Sequence, residues 1–195
     1  MHMRWRIPPD SCDGRARAKS ASPMKPSACS TRRATSAAEI LATGPAAIVV
    51  SNGPGDPAHL PKVVAELQAL VRSGTPLLGI CLGHQLLGLA AGGTTSRLRY
   101  GHHGGNHPVR DLRTGRVTIT TQNHEFQVEP DTLLAASGLE VSQVNLNDGS
   151  VEGLRHRELP VFSVQYHPEG CPGPQDSQGL FDEFLSLAGV LEVQP

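Results

Sequence analysis

The chain has 195 residues, one domain's worth, and a domain of that size buries a core without covalent staples. Seventeen Lys and Arg against 18 Asp and Glu leave no charge excess that would suggest nucleic acid or an anionic membrane, and no apolar run approaches the ~20 residues of a membrane span. Aromatics are only 4%, so the core must be aliphatic; Cys12, Cys29, Cys81 and Cys171 come without a CxxC pair or an apolar signal segment, and reduced thiols in a cytoplasmic enzyme are expected.

Residues 1–34 hold eight basic and two acidic side chains, a net +6, and the remainder carries −7. This head has no apolar period and one isolated Trp5, so it cannot offset its ordering entropy, and disorder is expected. Its Arg- and Ser-rich, acid-poor composition also resembles an organellar transit peptide. A misassigned or fused start is the preferred reading.

From Thr35 the pattern alternates between strand and helix. Thr35-Ser36-Ala37-Ala38-Glu39 has the form of a capping box opening a short helix to about Thr43, stopped by Gly44-Pro45. Ala46 to Val50 reads as a buried parallel strand, and Ser51-Asn52-Gly53-Pro54-Gly55-Asp56-Pro57 as a turn cluster. Val63, Val64, Leu67, Leu70 and Val71 share one helical face between Pro61 and Gly74. Pro76 to Ile80 is a second buried strand running into Cys81 and then a helix from Leu82 to about Ala91. Beyond Gly92-Gly93, the stretches 117–120, 141–144 and 161–166 alternate like antiparallel or mixed strands, and a last helix turns Leu180, Phe181, Phe184, Leu185 and Ala188 inward. The expected fold is α/β, an open, mostly parallel sheet flanked by helices with an added antiparallel part.

Gly79-Ile80-Cys81-Leu82-Gly83 is a Gly-x-nucleophile-x-Gly arrangement between strand and helix, with Cys in place of Ser. The tight turn holds the side chain out at the carboxyl end of the sheet, where open α/β folds place ligands. A helix N-terminus beside the sulfur favours its anionic form and directs N–H groups at a developing oxyanion. On its own the motif is as compatible with a buried structural cysteine. Downstream, Gln165-Tyr166-His167-Pro168-Glu169 follows another apolar strand; His167 can take the thiol proton and Glu169 can hold the imidazole.

The run Gly79 to Gln85 together with His167-Pro168-Glu169 resembles the class I glutamine amidotransferases. The Ser51 to Pro57 loop and Gly101-His102-His103-Gly104-Gly105-Asn106-His107-Pro108-Val109 are similar to the small, glutaminase subunit of carbamoyl-phosphate synthase. The likeness covers roughly Thr35 to Ala188 and implies a flavodoxin-like amidotransferase fold. It implies Cys81 as nucleophile, His167 as base and then acid, and Glu169 as its orienting group. Backbone N–H groups of Gly53 and Leu82 would form the oxyanion hole. Gly55, Gln85, Asn123, Glu125 and Phe126 would surround glutamine. The product ammonia would pass to a large, ATP-using subunit for carbamoyl phosphate synthesis, feeding arginine and pyrimidine formation. No metal or cofactor is implied in this chain.

Three departures stand out. Glu125 occupies a position where the family carries glycine; a backbone contact there would be unaffected, but an inward carboxylate would repel the substrate's own. The family's N-terminal domain, which completes the glutamine site with a serine, has no counterpart. The opening strand and helix of the amidotransferase domain are expected to be missing, their place taken by residues 1–34, so that the domain is 35–195. His102, His103 and His107 lack a Cys or carboxylate at structural-zinc spacing, and no metal site is expected. The alternatives are a non-catalytic fragment of such a subunit and a related Cys-His gamma-glutamyl hydrolase, the latter disfavoured by Gln85 and the Ser51 to Pro57 loop.

Overall fold

The computed structural model describes residues 35–170, 174, 176, 177 and 179–190. The chain divides into two units, 1–32 and 33–195, and the described residues belong to the second. The expectations for the 1–34 head and for Cys171 fall outside the described residues. Among the described residues, no helix is long and apolar enough to cross a membrane.

The capping box falls on Ser36. Its hydroxyl accepts the Glu39 N–H at 3.2 Å while Glu39 Oε2 accepts the Ser36 N–H at 2.8 Å, and this opens α1 (Ala37–Ala42). There follow β1 (Ile48–Val50), a 3₁₀ turn over Pro57–His59, α2 (Pro61–Arg72), β2 (Leu77–Ile80), α3 (Leu82–Ala90), β3 (Thr95–Asp111) and β4 (Val117–Val128). The chain then runs through β5 (Leu139–Asn145), β6 (Val151–His156), β7 (Val161–Val164) and α4 (Gly179–Leu187).

One seven-stranded sheet results, in the order β1-β2-β7-β6-β5-β3-β4. The pairs β1–β2 and β2–β7 are parallel and the other four are antiparallel. The open α/β sheet with its antiparallel addition is therefore present, and the addition is larger than the sequence suggests. Residues 101–109, to which the sequence pattern assigns no element, belong to β3. Gly101 and Gly104 take positive φ (66° and 106°), and the pairing with β4 shifts register between Arg97 and His102 and again between Gly104 and His107. Such bulges keep a strand paired while erasing its alternation. β6 was likewise invisible to pattern: Val151, Glu152, Gly153 and Leu154 are all buried, so both faces are covered and no period of two survives.

The core lies on both faces of β2. Leu77 packs with Leu67, Leu70, Leu86, Leu87 and Val161 in the layer of α2 and α3, while Leu78 and Ile80 pack with Phe162 and Phe184 under α4. This two-sided burial is what a central parallel strand requires, and it fixes the end of β2 rigidly. Two burial expectations fail. β1 is at the edge of the described sheet and Val49 is 53% exposed, because its described pairing is with β2 alone. Leu185 is also exposed, since it follows the buried Phe184 by one residue and is carried about 100° around α4.

Candidate active site

β2 and β7 are adjacent and parallel, with Ile80 opposite Val164, so the two strands end at the same edge. Cys81 leaves β2 and donates its N–H to the Val164 carbonyl at 2.9 Å. His167 follows β7 by three residues and donates its N–H to the Thr121 carbonyl at 2.8 Å, which ties it to β4.

Cys81 has φ 52° and ψ −104° and is the one non-glycine residue at positive φ among the described residues. Such a conformation costs about 1–3 kcal/mol and persists because its surroundings enforce it. The flanking glycines show how. A Cβ on Gly79 would lie 2.7 Å from Leu87 Cδ1 and 2.9 Å from the Gly83 carbonyl carbon; one on Gly83 would lie 2.1 Å from the Val50 carbonyl oxygen. Only hydrogen at both positions lets the turn close against β1 and α3. Cys81→Gly is therefore expected to be about 1 kcal/mol more stable than Cys81→Ala, the relieved strain less the entropy glycine adds to the unfolded chain. Equilibrium denaturation of the two variants checks this, and equal stability would remove the claim of strain.

His167 Nδ1 and Glu169 Oε1 are 2.8 Å apart. The His167 pKa is raised from 6.5 to about 10, first by hydrogen bonding toward Cys81 and then by Glu169, against the opposing effect of burial. His167 Nε2 makes no formed hydrogen bond, and Cys81 Sγ reaches the Asn123 carbonyl at 4.0 Å. Cys81 and His167, the expected nucleophile and base, are thus neighbours whose contact is looser than a closed hydrogen bond.

A pocket of about 430 Å³ opens over Cys81. Gly53, Gly55, Gln85, Asn123, Glu125 and Phe126, all chosen from sequence, line it; His167 and Glu169 lie outside the lining. Leu82 is the buried first residue of α3, and a Cβ on Gly53 would lie 2.9 Å from Leu82 Cδ2, so the two proposed oxyanion donors belong to segments in close approach. Gly55 takes φ 106°, which a side chain would resist. Gln85 donates its amide protons to the Phe126 carbonyl at 2.9 Å and to Gln165 Oε1 at 3.1 Å, leaving its own carbonyl oxygen for a ligand.

Sequence reasoning gave no role at the pocket to five further lining residues, Pro54, Asp56, Arg97, His103 and His124. Asp56 caps the 3₁₀ turn through the Ala58 N–H at 2.9 Å, and His103 Nδ1 lies 3.1 Å from Asn123 Oδ1. Arg97 forms an ion pair with Glu125, so the carboxylate feared as a repulsive intruder is neutralised by a guanidinium across the β3–β4 pair. His84, inside the nucleophile motif, serves the scaffold. It is wholly buried, its pKa is pushed down to about 3 by burial, and its Nδ1 meets Ser163 Oγ at 2.9 Å, tying α3 to β7.

The histidines lack a carboxylate at structural-zinc spacing in the sequence, but the fold brings one to His102. His102, His124 and Glu152 bring potential ligand atoms within 4.8 Å of one another, because β6 places Glu152 beside a hairpin far from it in sequence. Both Glu152 oxygens accept amide protons, from Asn145 at 2.8 Å and Gln122 at 2.7 Å. His102 stands between Glu152 and Asp148, at 3.5 and 2.9 Å, and its pKa is raised, Glu152 contributing most. Burial pushes His124 down to about 4. The two carboxylates and the amide donors tie His102 and Glu152 into the scaffold of β3, β4, β5 and β6.

A family model described as glutamine amidotransferase class-I matches residues 27–187. The chain belongs to the class-I glutamine amidotransferases. The matched span opens upstream of Thr35, where the motifs themselves begin. This amidotransferase is 53% identical over 160 residues to the carbamoyl phosphate synthase small chain of Akkermansia muciniphila, covering 82% of the present chain and 42% of the relative. It is 52% identical over 151 residues to the small chain of Bacillus caldolyticus, covering 77% and 41% respectively. The chain thus spans about two fifths of the length of these curated relatives. Among solved structures, a putative GMP synthase subunit from Thermoplasma acidophilum superposes with TM-score 0.66 at 19% identity, covering 78% of this chain and 76% of that one. The glutaminase domain of Trypanosoma brucei CTPS with bound acivicin superposes with TM-score 0.64 at 16% identity, covering 80% and 76%. At those identities the likeness establishes the fold: the open sheet, its helices and the antiparallel addition are those of amidotransferase domains.

Proposed function

We propose that this chain hydrolyses glutamine to glutamate and ammonia, and that the ammonia supplies carbamoyl phosphate synthesis. The observation that carries the reading is the strained Cys81 at the end of β2, beside His167 from the parallel neighbour β7 and open to the pocket that Gln85 and Gly53 line.

The thiol proton passes first to His167 Nε2, the protonated state that the raised His167 pKa favours, and Cys81 Sγ then attacks the carboxamide carbon as thiolate. Charge gathering on the carbonyl oxygen meets the Gly53 and Leu82 N–H groups. His167 returns the proton to the departing nitrogen, the C–N bond breaks, and ammonia leaves a γ-glutamyl thioester. Water then attacks the same carbon with His167 as base, the S–C bond breaks, and glutamate forms. Glu169 keeps Nδ1 protonated so that Nε2 faces the sulfur. These steps use side-chain and backbone groups alone, with no cofactor in this chain. The partner proposed is a large synthetase chain that uses ATP, as the small-chain names of the relatives suggest. The cytoplasm, which keeps such a thiol reduced, is the proposed compartment.

Glutamate release by the purified chain, alone and mixed with a large synthetase chain, tests the proposal. Glutamine hydrolysis by the chain and faster turnover in the mixture are expected. Hydrolysis of γ-glutamyl peptides in preference to glutamine would favour the gamma-glutamyl hydrolase alternative.

A further inference from the structure

The mouth of the Cys81 pocket carries one charge of each sign that the proposed chemistry does not use. Arg97 on β3 and Glu125 on β4 form an ion pair, and both line the pocket with Cys81, Gln85 and Gly55. Their side chains are 69% and 49% exposed. A pair so open to water adds little to stability, so holding the fold together does not account for its placement. Much of the other polar lining is committed within the protein: Asp56 caps a turn, Asn123 meets His103, and both Gln85 amide protons are donated, which leaves the Gln85 carbonyl oxygen and His124 Nε2. Arg97 is the one Arg or Lys in the lining.

With the carboxamide of glutamine at Cys81, which is the reading under Proposed function and on which this inference rests, the far end of the ligand presents an ammonium and a carboxylate on one carbon. We propose that Arg97 and Glu125 are specificity residues that read this zwitterion, Arg97 taking the α-carboxylate and Glu125 the α-ammonium. A guanidinium offers a planar fork of N–H donors that matches a carboxylate, and an ionised carboxylate accepts from an ammonium. The free pair has no net charge and neither does the ligand, so binding exchanges one ion pair for two without leaving a charge unbalanced. A carboxamide side chain within a peptide carries neither α-charge. The pair therefore selects the free amino acid over glutaminyl residues in proteins.

The test uses the full chain with Cys81→Ala, so that ligands bind without turnover, and measures affinity by calorimetry. Three ligands are compared: glutamine, glutaramic acid, which lacks the α-ammonium, and 4-aminobutanamide, which lacks the α-carboxylate. Arg97→Ala is expected to weaken glutamine and glutaramic acid about tenfold and leave 4-aminobutanamide unchanged, while Glu125→Ala weakens glutamine and 4-aminobutanamide but not glutaramic acid. Arg97→Lys should recover part of the loss, because the charge survives and the fork does not. Equal weakening of all three ligands, no weakening by either variant, or no glutamine binding at all overturns the pair. Hydrolysis by the Cys81-containing chain, followed in parallel, keeps the two claims apart. The ligand pattern without hydrolysis supports the pair and sinks the proposed function; hydrolysis without the pattern does the reverse.

Discussion

Replacing Cys81 with alanine is expected to abolish glutamate release from glutamine while leaving the fold intact. The effect should be complete within detection, a loss of about 10⁴-fold or more, because a nucleophile and its partners fail as a unit once the bond-forming atom is gone. The fold should survive because the side chain lost is small, and because the turn is shaped by the Gly79 and Gly83 contacts with Leu87 and Val50, which alanine at 81 leaves alone. The same positive φ is imposed on alanine as on cysteine, so the variant gains nothing from relieved strain. Wild-type hydrolysis by the alanine variant, assayed as glutamate formed, would assign the chemistry to another residue.

Replacing His167 with asparagine is expected to cost about 10⁴-fold, and replacing Glu169 with glutamine about 10²-fold. In the proposed mechanism His167 moves a proton in every step, whereas Glu169 holds its partner in one tautomer. A glutamine carbonyl oxygen can still accept the Nδ1 proton, and the Glu169 side chain is 43% exposed, so water can share that duty. A larger loss at Glu169 than at His167 would reverse the roles. The pH dependence follows from the raised pKa. A histidine lifted from 6.5 to about 10 contributes stability that is fully present below 6.5 and is lost as pH rises through about 10. The stability gap between the wild type and His167→Asn should therefore shrink steadily over that range. In Cys81→Ala the largest cause of the lift is removed, so the His167 ring should titrate lower by NMR. An unchanged midpoint would show that the sulfur does not face the ring.

Local chemistry was legible in the sequence because it acts over a few residues. The Ser36 capping box, the glycine-flanked turn at Cys81 and the two-residue spacing of His167 and Glu169 are each contained in a short window. What the sequence hid depends on distant pairing. Nothing in the order of motifs says that β7 lies beside β2, yet that adjacency places His167 next to Cys81. The Arg97–Glu125 pair joins residues on a hairpin whose register shifts, around Gly101 and after Gly104, leave no alternation to read. The charge cluster of His102 and Glu152 was missed because β6, buried on both faces, has no alternation to reveal it. Val49 and Leu185 were placed inside by apolar character alone, which does not report what stands opposite a strand or how far a helix has turned.

The central claim is that Cys81 itself carries the γ-glutamyl group during glutamine hydrolysis. Acid quenching of the wild-type chain during turnover, followed by mass spectrometry of the peptide containing Cys81, tests it most directly. A γ-glutamyl adduct on Cys81 that appears with glutamine, disappears as glutamine is exhausted and is absent from Cys81→Ala is the predicted result. Glutamate release with Cys81 unmodified throughout, or an adduct on another residue, would contradict the account.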